Sequence, residues 1–533
     1  MDVMKDIRLW GILVLALAMR TVLMFSVFAD VERAVTPDST DYVKLSLWPY
    51  LGNGYKRPWS GVPSGMLDAS GPEIFRTPGY PTFLAGASWV PSKTHPHASG
   101  SSPLPVWAIS PIMIVRIALS FQVLLDLHLV LLTFFLGRSL AGHGVGLLGA
   151  LLQAFSPLAA AASCRILSDS IFAFMLIAAV VLLLRHFRRG GWWPLLSAAL
   201  VMGVSCYVRP VGFAFSAVMT LVIFCSRRST GILPVSTRAV SALAETGEST
   251  GETPVVLMGK MPMLRPRRLL RTLAFVAVIA SCVAPWVARN VIVADYWGFS
   301  SFATDSMYWY SAAEIEARQQ GVPVEQVREQ FDEAESRASF AADVATRPEM
   351  GTAPCDRTSG GLARYRWAKA REIIFAHPWQ YADIHLKGDA AFWLPGAVDA
   401  LEVMGYTSGG KGTLDVLHRQ GLVAAARHYF GGNTTAMILA GVMVGILLIR
   451  YAGVVLCGLW RLRFSKMTAG GWLCLLLVVT ACLLPGPANH PRFRVPVEPI
   501  LSVAAAIGYL GLLEWRRRRR RSGLPQRHRD TEG

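Results

Sequence analysis

The chain begins MDVMKDIRLWGILVLALAMRTVLMFSVF, residues 1–28. A charged start followed by an apolar core is typical of a secretory signal peptide. Here, however, the apolar run continues to Phe28, and its length is about the 20 residues that a helix needs to cross a bilayer. The stretch therefore predicts an uncleaved first transmembrane helix, with Arg20 inside it either paired internally or lining a hydrated cavity.

The rest of the chain has the same apolar character. Of its 533 residues, 53% are hydrophobic and only 16% are charged, and mean hydropathy is +0.40, which excludes an ordinary soluble protein of this length. Apolar runs of spanning length occur at 9–28, 108–136, 144–162, 166–185, 192–208, 211–225, 270–292, 434–457, 470–486 and 496–514. We therefore expect an all-α polytopic membrane protein with about ten transmembrane helices, a large first extracytoplasmic loop and a second, helical extracytoplasmic segment.

The net charge of +17 comes from lysines and arginines clustered beside apolar runs, which is typical of cytoplasmic loops rather than of a nucleic-acid-binding surface. An even number of helices and the arginine run at 516–521 predict that both termini are cytoplasmic. The basic loops at Arg138, 185–191 and 461–466 then fall on the same side. The stretch GYPTFLAGASWV, residues 79–90, is too short to span and predicts a re-entrant or interfacial helix.

These assignments predict how the chain is organised. All cysteines except Cys355 fall in or beside apolar stretches, and no disulfide framework or metal-binding spacing is present. The 293–433 segment has helical spacing that fits either helices lying on lipid headgroups or the core of a small extracytoplasmic domain. The predicted parts are a membrane catalytic part at 1–225 with the first loop at 29–107, a disordered cytoplasmic insertion at 226–269, a transmembrane helix at 270–292, an extracytoplasmic segment at 293–433, C-terminal transmembrane helices at 434–514 and a basic cytoplasmic tail at 515–533.

Several short motifs lie at the predicted outer ends of these helices. They are PDSTDY (37–42), FRTPGYPTFLAG (75–86), PLAAAASCRILSDSIFAFML (157–176), YVRPVG (207–212), APWVARN (284–290) and NHPRFRVPVEPIL (489–501). In order and spacing they resemble the bacterial branch of the polyprenyl-phosphate-dependent GT-C membrane glycosyltransferases. That class includes aminoarabinose transferases of lipid A and protein O-mannosyltransferases. The resemblance implies an inverting transfer of a sugar from a polyprenyl-phosphate carrier to an unknown lipid, glycan or protein hydroxyl on the periplasmic side.

This chemistry requires few groups. The carrier phosphate is already a good leaving group, so one carboxylate that accepts the proton of the acceptor hydroxyl is sufficient. The resemblance gives this role to Asp38, with Asp41 as the alternative. The pattern departs from the family at Ser39, where an acidic residue often stands, and this disfavours a divalent cation, so that we expect neither a metal nor another cofactor. A simpler interpretation is that PDSTDY caps the start of a juxtamembrane helix.

Charge that develops on the leaving phosphate calls for guanidinium donors. Arg76 matches the basic residue of the family that contacts the lipid phosphate, although an outward arginine can also bind headgroups. Asp169 matches the second acidic position and would orient a sugar, or it simply caps a helix. The predicted phosphate-binding or donor-binding residues are Arg76, Arg209, Arg289, Arg492, Arg494, Tyr42 and Tyr80.

Two other functions remain open from the sequence. A transporter or flippase of lipid-linked intermediates would be expected to show repeated helix groups and ionisable residues at the bilayer midplane, whereas here the acidic residues cluster outside it. A non-catalytic scaffold would be favoured if Asp38 and Arg76 lay far apart.

Overall fold

The protein is all-α in the part of the chain that its structure describes. The computed structural model describes residues 6–46, 48–51, 54–56, 72–94, 111–226, 266–346, 358–406, 413–464 and 467–522, and within these ranges there are helices but no strand beyond one isolated bridge. This confirms the predicted fold class. Most of the predicted insertion, Cys355 and the last eleven residues of the tail lie outside the described residues.

Each predicted apolar run corresponds to a helix or to a bent helix pair. In the described part of the chain, six helices are long and apolar enough to cross a membrane, one helix pair bends by 62° just before Pro157, and three apolar helices are shorter. The count of ten therefore remains a prediction. Their bounds are Ile7–Ala29, Pro111–Ala141, His143–Ala154 with Pro157–Ser163, Asp169–Arg189, Trp192–Val208, Gly212–Cys225, Pro266–Ala294, Thr434–Phe464, Ala469–Leu483 and Glu498–Ser522.

The arginine inside the first helix is paired internally, as predicted. Arg20 is fully buried, and its Nε donates to Asp126 Oδ2 at 2.7 Å on helix Pro111–Ala141. Its Nη1 donates to the backbone oxygen of Ala154, where the bent helix pair leaves a carbonyl accessible. Because both charges of this pair are removed from solvent together, the contact ties three elements together without exposing a charge to lipid.

The short basic loops come together at one end of the helices. Ser139, Arg188, Ser226, Arg268 and Met467 all line one cleft there. The opposite end carries the short helices of the two large loops and of the turn between helices Ala469–Leu483 and Glu498–Ser522, and we call it the loop end. Their bounds are Val31–Ala34, Pro37–Leu45, Trp48–Leu51, Gly79–Thr94, Phe302–Ser306, Met307–Ala312, Ala313–Gln320, Val324–Thr346, Thr358–Ala376, Pro378–Ala391, Ala397–Val403, Thr413–Gln420, Leu422–Tyr429, Gly486–Ala488 and Pro491–Val497.

The second large segment contains a small core of its own. Tyr308 stacks on Phe331 with ring centroids 4.5 Å apart, and Ala312 and Ala370 are fully buried beside them. Its Trp379 is nevertheless 86% exposed. The packed face agrees with the interpretation as a small domain with a core, whereas contact of the exposed face with lipid headgroups remains a prediction.

Candidate active site

A cavity of about 830 Å³ opens at the loop end. Its wall combines the helix Pro37–Leu45, the loop at 73–77, the beginning of helix Asp169–Arg189 and the turns at 208–211 and 488–493. Seven of the ten residues predicted from sequence line it, namely Asp38, Asp41, Tyr42, Arg76, Asp169, Arg209 and Arg492. Segments that are far apart in the sequence therefore converge on one space.

The helix Pro37–Leu45 aims Asp38 into this cavity. Pro37 occupies its first position, and the Ser39 hydroxyl both accepts from the Thr36 N–H at 2.8 Å and donates to the backbone oxygen of Ile166 at 2.9 Å. Ser39 is buried. Ser39, which stands where the family often has an acidic residue, thus holds the helix in place. Thr36 and Ser39 together cap the helix, so the Asp38 carboxylate is available for other contacts.

Asp38 lies between two guanidinium groups. Arg76 Nη2 donates to its Oδ1 at 2.7 Å, and Arg492 Nη2 donates to its Oδ2 at 2.5 Å across 454 residues of sequence. Burial alone would raise the pKa of Asp38, but the charges of Arg492 and Arg76 outweigh it and hold the pKa at about 2. The carboxylate is therefore ionised, with each oxygen bonded to one cation.

Arg76 is fixed by its own turn as well as by carboxylates. Glu73 Oε1 accepts from the backbone N–H groups of Phe75 at 2.6 Å and of Arg76 at 2.8 Å. The guanidinium also donates to Asp41 Oδ2 at 3.2 Å, and it lies 5.1 Å from the centre of the Tyr42 ring. Asp41 therefore supports Arg76 rather than competing with Asp38 for the centre of the cavity.

The Pro-Gly-Tyr-Pro turn after Arg76 requires its glycine. A Cβ added at Gly79 would lie 2.5 Å from the backbone carbonyl carbon of Tyr207, closer than side chains can approach. Gly79 begins the helix Gly79–Thr94 and presses it against the end of helix Trp192–Val208. This close approach sets where the Arg76 loop enters the cavity.

Asp169 and Arg209 form the next pair along the wall. Asp169 is 2% exposed at the first position of its helix, where the helix dipole favours a carboxylate, and it accepts from Arg209 Nη1. Arg209 also lies 5.4 Å from the ring centre of Phe493, next to Arg492. The two pairs are thus neighbours, and Arg492 is attracted to both Asp38 and Asp169.

Two predicted donor-binding residues lie outside the cavity lining. The Tyr80 hydroxyl donates to Gln122 Oε1 at 2.6 Å, and the ring is fully buried. Arg289 donates to the backbone oxygens of Glu73 at 2.7 Å and Tyr55 at 2.6 Å. Their contacts hold the first loop in place from behind, and these positions do not support a direct contact with a phosphate.

Arg494 also points away from the cavity, although it is two residues from Arg492. It is fully buried, and its Nε donates to Glu498 Oε1 at 2.6 Å. The other carboxylate oxygen of Glu498 pairs with Arg450 and accepts from the Ser156 hydroxyl at 2.9 Å. The partner of Arg494 is thus an internal carboxylate, and its position does not support the predicted phosphate contact.

Sequence reasoning missed a third ion-pair group in the wall. Arg165 donates to Asp399 at 2.8 Å and to Glu402 at 2.5 Å, and thereby joins the segment before Asp169 to helix Ala397–Val403. Arg165 stands within the quoted motif, four residues before Asp169, which was the signal available. His490 lines the same side, where burial lowers its pKa against the opposing charge of Asp399.

The second large segment supplies the facing wall. A π-helical turn at Met307–Ala312 directs Trp309 and Tyr310 to the cavity, where Tyr310 remains 46% exposed. Arg366 donates to Asp305 at 2.7 Å and lies 5.4 Å from the Trp309 ring centre. The facing wall therefore carries aromatic surface in addition to an ion pair of its own, whereas the ion pairs of Asp38 and Asp169 lie on the other wall.

The described residues contain no group of three or more His, Cys, Asp or Glu side chains arranged to hold a metal ion. Metal independence accordingly remains a prediction that a chelator can test.

Comparison with known proteins gives one family match. Residues 92–231 match the family model of dolichyl-phosphate-mannose-protein mannosyltransferases, and no curated protein matches the chain. Among solved structures, the chain is similar to the archaeal oligosaccharyltransferase AglB from Archaeoglobus fulgidus in complex with an inhibitory peptide and a dolichol-phosphate, at 13% identity and a TM-score of 0.47, covering 100% of this chain and 53% of that one. It is also similar to ArnT from Cupriavidus metallidurans bound to undecaprenyl phosphate, at 13% identity and a TM-score of 0.35, covering 94% of this chain and 78% of that one. The chain spans about half the length of the archaeal protein. The family match confirms the recognition that the motifs indicated, a resemblance to the polyprenyl-phosphate-dependent membrane glycosyltransferases.

Proposed function

We propose that this protein is an inverting glycosyltransferase that moves a sugar from a polyprenyl-phosphate carrier to an acceptor hydroxyl at the loop end. The observation that carries the proposal is the placement of Asp38 between Arg76 and Arg492 in one cavity. A carboxylate for the acceptor proton and two guanidinium groups for a phosphate are the groups that this reaction needs. The family match over residues 92–231 supports the same reaction class.

The transfer proceeds by one displacement at the anomeric carbon. The acceptor oxygen attacks from the face opposite the phosphate, and its bond to that carbon forms as the bond from the carbon to the phosphate oxygen breaks. The electron pair of the broken bond leaves with polyprenyl phosphate, and the hydroxyl proton passes to the Asp38 carboxylate. Arg76 and Arg492 stabilise the second negative charge that develops on the phosphate. Attack from the opposite face inverts the anomeric configuration.

The two walls divide the substrates. Phosphate and sugar would lie along the ion-pair wall beside Asp38, and Asp169 would position the sugar through Arg209. Trp309 and Tyr310 on the facing wall offer exposed aromatic surface for the acceptor. A volume of about 830 Å³ accommodates both, since sites for small molecules commonly enclose roughly 300–1,000 Å³.

This function also implies an orientation in the membrane. The loop end would face the periplasm of a bacterial inner membrane, with the basic loops and both termini in the cytoplasm. A donor anchored by its lipid would then present its phosphate and sugar at the membrane surface, where the cavity opens.

The experiment measures transfer of label from a radiolabelled polyprenyl-phosphate sugar pool in membranes that carry equal amounts of each protein. Wild type should label an acceptor band, and Asp38→Asn should not, because the amide cannot accept the proton. Asp383→Asn is the matched control, since this exposed aspartate is also ion-paired but lies outside the cavity lining. Equal labelling by wild type and Asp38→Asn would exclude Asp38 as the base. If Asp41→Asn and Asp169→Asn were silent as well, a transporter of lipid-linked intermediates would be the better interpretation.

A further inference from the structure

The arginines of the cavity are already committed to carboxylates. Each of the five that line it makes at least one ion pair with a described residue; they are Arg76, Arg165, Arg209, Arg366 and Arg492. An incoming donor phosphate adds negative charge to this space. Since a buried charge needs a partner, the phosphate competes with the carboxylates for these guanidinium groups unless it finds another cation.

The Asp38 clamp, meaning Asp38 with Arg76 and Arg492, has the geometry for such an exchange. Its two carboxylate oxygens each accept one N–H from a different guanidinium, at 2.7 and 2.5 Å. Two oxygens of a phosphate accept from guanidinium groups in the same way. The members of the clamp keep 12–26% of their side-chain surface exposed and line the cavity, so a ligand can reach them.

The neighbouring pairs are less open to exchange. Asp169 is almost fully buried behind Arg209. Arg366 is held by two carboxylates at once, because it donates to Glu335 at 2.6 Å as well as to Asp305. Removing a guanidinium from these pairs would leave a buried carboxylate without its partner, which is costly, whereas Asp38 is 25% exposed.

We propose that the donor phosphate displaces the Asp38 carboxylate from Arg76 and Arg492, so that Asp38 acts as an internal substitute for the phosphate and becomes an effective base only in the donor complex. The inference rests on the proposed function and adds the order of events to it. Once Arg76 and Arg492 donate to the phosphate instead, burial raises the pKa of the Asp38 carboxylate toward the range in which it accepts a proton well. The unloaded enzyme then holds a weak base, and the loaded enzyme holds a stronger one.

The charges of the proposed step balance. The bound donor carries one negative charge, and the leaving polyprenyl phosphate carries two after the bond to the sugar has broken. The two guanidinium groups match these two charges, while Asp38 becomes neutral as it takes the acceptor proton. Binding of the donor and release of the base are thus the same event.

Lys44 offers the competing destination for the phosphate. It is exposed, it lines the cavity, and among the described residues no carboxylate lies within ion-pair distance of it. A phosphate bound there would leave the Asp38 clamp intact. Removing the Asp38 charge should tighten phosphate binding if the exchange occurs and leave it unchanged if the phosphate lies at Lys44, so binding measurements distinguish the two arrangements.

The test is equilibrium binding of undecaprenyl phosphate to the purified full-length protein in detergent, with uncharged undecaprenol as the control ligand. Asp38→Asn keeps the shape of the side chain and removes its charge, so the internal competitor is weakened. We expect it to bind undecaprenyl phosphate about tenfold more tightly than wild type does, the effect of one charge-assisted hydrogen bond, with no change for undecaprenol. In the presence of Arg492→Gln, the substitution Asp38→Asn should no longer tighten binding, because the guanidinium that it would release is then absent.

The other outcomes are equally clear. Unchanged affinity in Asp38→Asn together with weaker binding in Lys44→Ala would overturn the exchange and assign the phosphate to Lys44. A gain for undecaprenol as well would overturn it too, because the effect would then not depend on the phosphate. The proposed function fails separately, when wild type neither binds undecaprenyl phosphate nor transfers label.

Discussion

Replacing the three cavity aspartates by asparagine, one at a time, should produce three different results. Each substitution preserves volume and removes one negative charge. The structure gives the three carboxylates different burial and different partners, since side-chain exposure is 25% for Asp38, 46% for Asp41 and 2% for Asp169. The three substitutions should therefore change turnover and the free energy of unfolding by different amounts.

For Asp38, which we propose as the general base, the expected loss is catalytic. A positioned general base contributes roughly 10²–10⁴ in rate, so Asp38→Asn should lower turnover by about that factor. This corresponds to about 3 to 5 kcal/mol of activation free energy. Its free energy of unfolding should fall less than that of Asp169→Asn, because the Asp38 carboxylate is 25% exposed whereas that of Asp169 is 2% exposed.

For the other two aspartates, burial decides the result. Asp169→Asn leaves Arg209 without its buried partner, so the free energy of unfolding should fall by about 3 kcal/mol and turnover should fall with it. Asp41→Asn removes contacts of 3.2 and 3.3 Å at the surface, which are worth under about 1 kcal/mol, so both quantities should stay near wild type.

The assay combines label transfer with thermal unfolding of each purified variant in detergent. The assignment of the base to Asp38 would be refuted if Asp41→Asn abolished transfer while Asp38→Asn did not. Equal destabilisation by all three variants would refute the inference from burial, because that inference requires Asp169 to stand apart.

Three further predictions concern pH, packing and metal. The pKa of Asp38 is lowered from 3.8 to about 2, so its ion pairs stabilise the fold above pH 3.8 and are lost as the pH falls through about 2. Because the carboxylate of the free enzyme stays ionised well below pH 5, kcat/KM should not decrease near pH 5. A decrease there in a pH–rate profile would contradict the clamp. Gly79→Ala should lower the midpoint of thermal unfolding and weaken undecaprenyl phosphate binding, because the added Cβ would meet the backbone of Tyr207. Gly86→Ala on the same helix is the control and should change neither, because the space around Gly86 is open. Equal midpoints for the two variants would argue against the close approach. Addition of EDTA should leave label transfer unchanged, and a loss that magnesium or manganese restores would overturn the prediction of metal independence.

Much of the fold could be predicted from the sequence because its signals are local. A run of about 20 apolar residues has few alternatives to a transmembrane helix, since the bilayer offers no other partner for the backbone. The bend at Pro157 was not predicted, because the apolar run 144–162 is continuous in composition. The bend depends on where that run packs, beside Arg20 and Glu498, as well as on the proline itself.

The candidate site was predicted only in part, and the arginines show why. Arg492 and Arg494 share one motif and one predicted outer loop, and no local signal separates them. In the structure, Arg492 reaches Asp38 across the cavity while Arg494 turns inward to Glu498. The direction of each side chain follows from the packing of its short helix on the elements around it, which no local pattern describes.

The sequence by itself therefore determined the helical membrane architecture, the resemblance to a glycosyltransferase class and the set of residues from which a site could be built. Only the tertiary structure decided which of them meet, and it added Arg165, Lys44, Trp309 and Arg366 to the cavity. The physical reason is the range of the interactions. Hydrophobic length and helix capping act between residues near in sequence, whereas an ion pair such as Asp38 with Arg492 joins positions 454 residues apart that only the completed packing brings together.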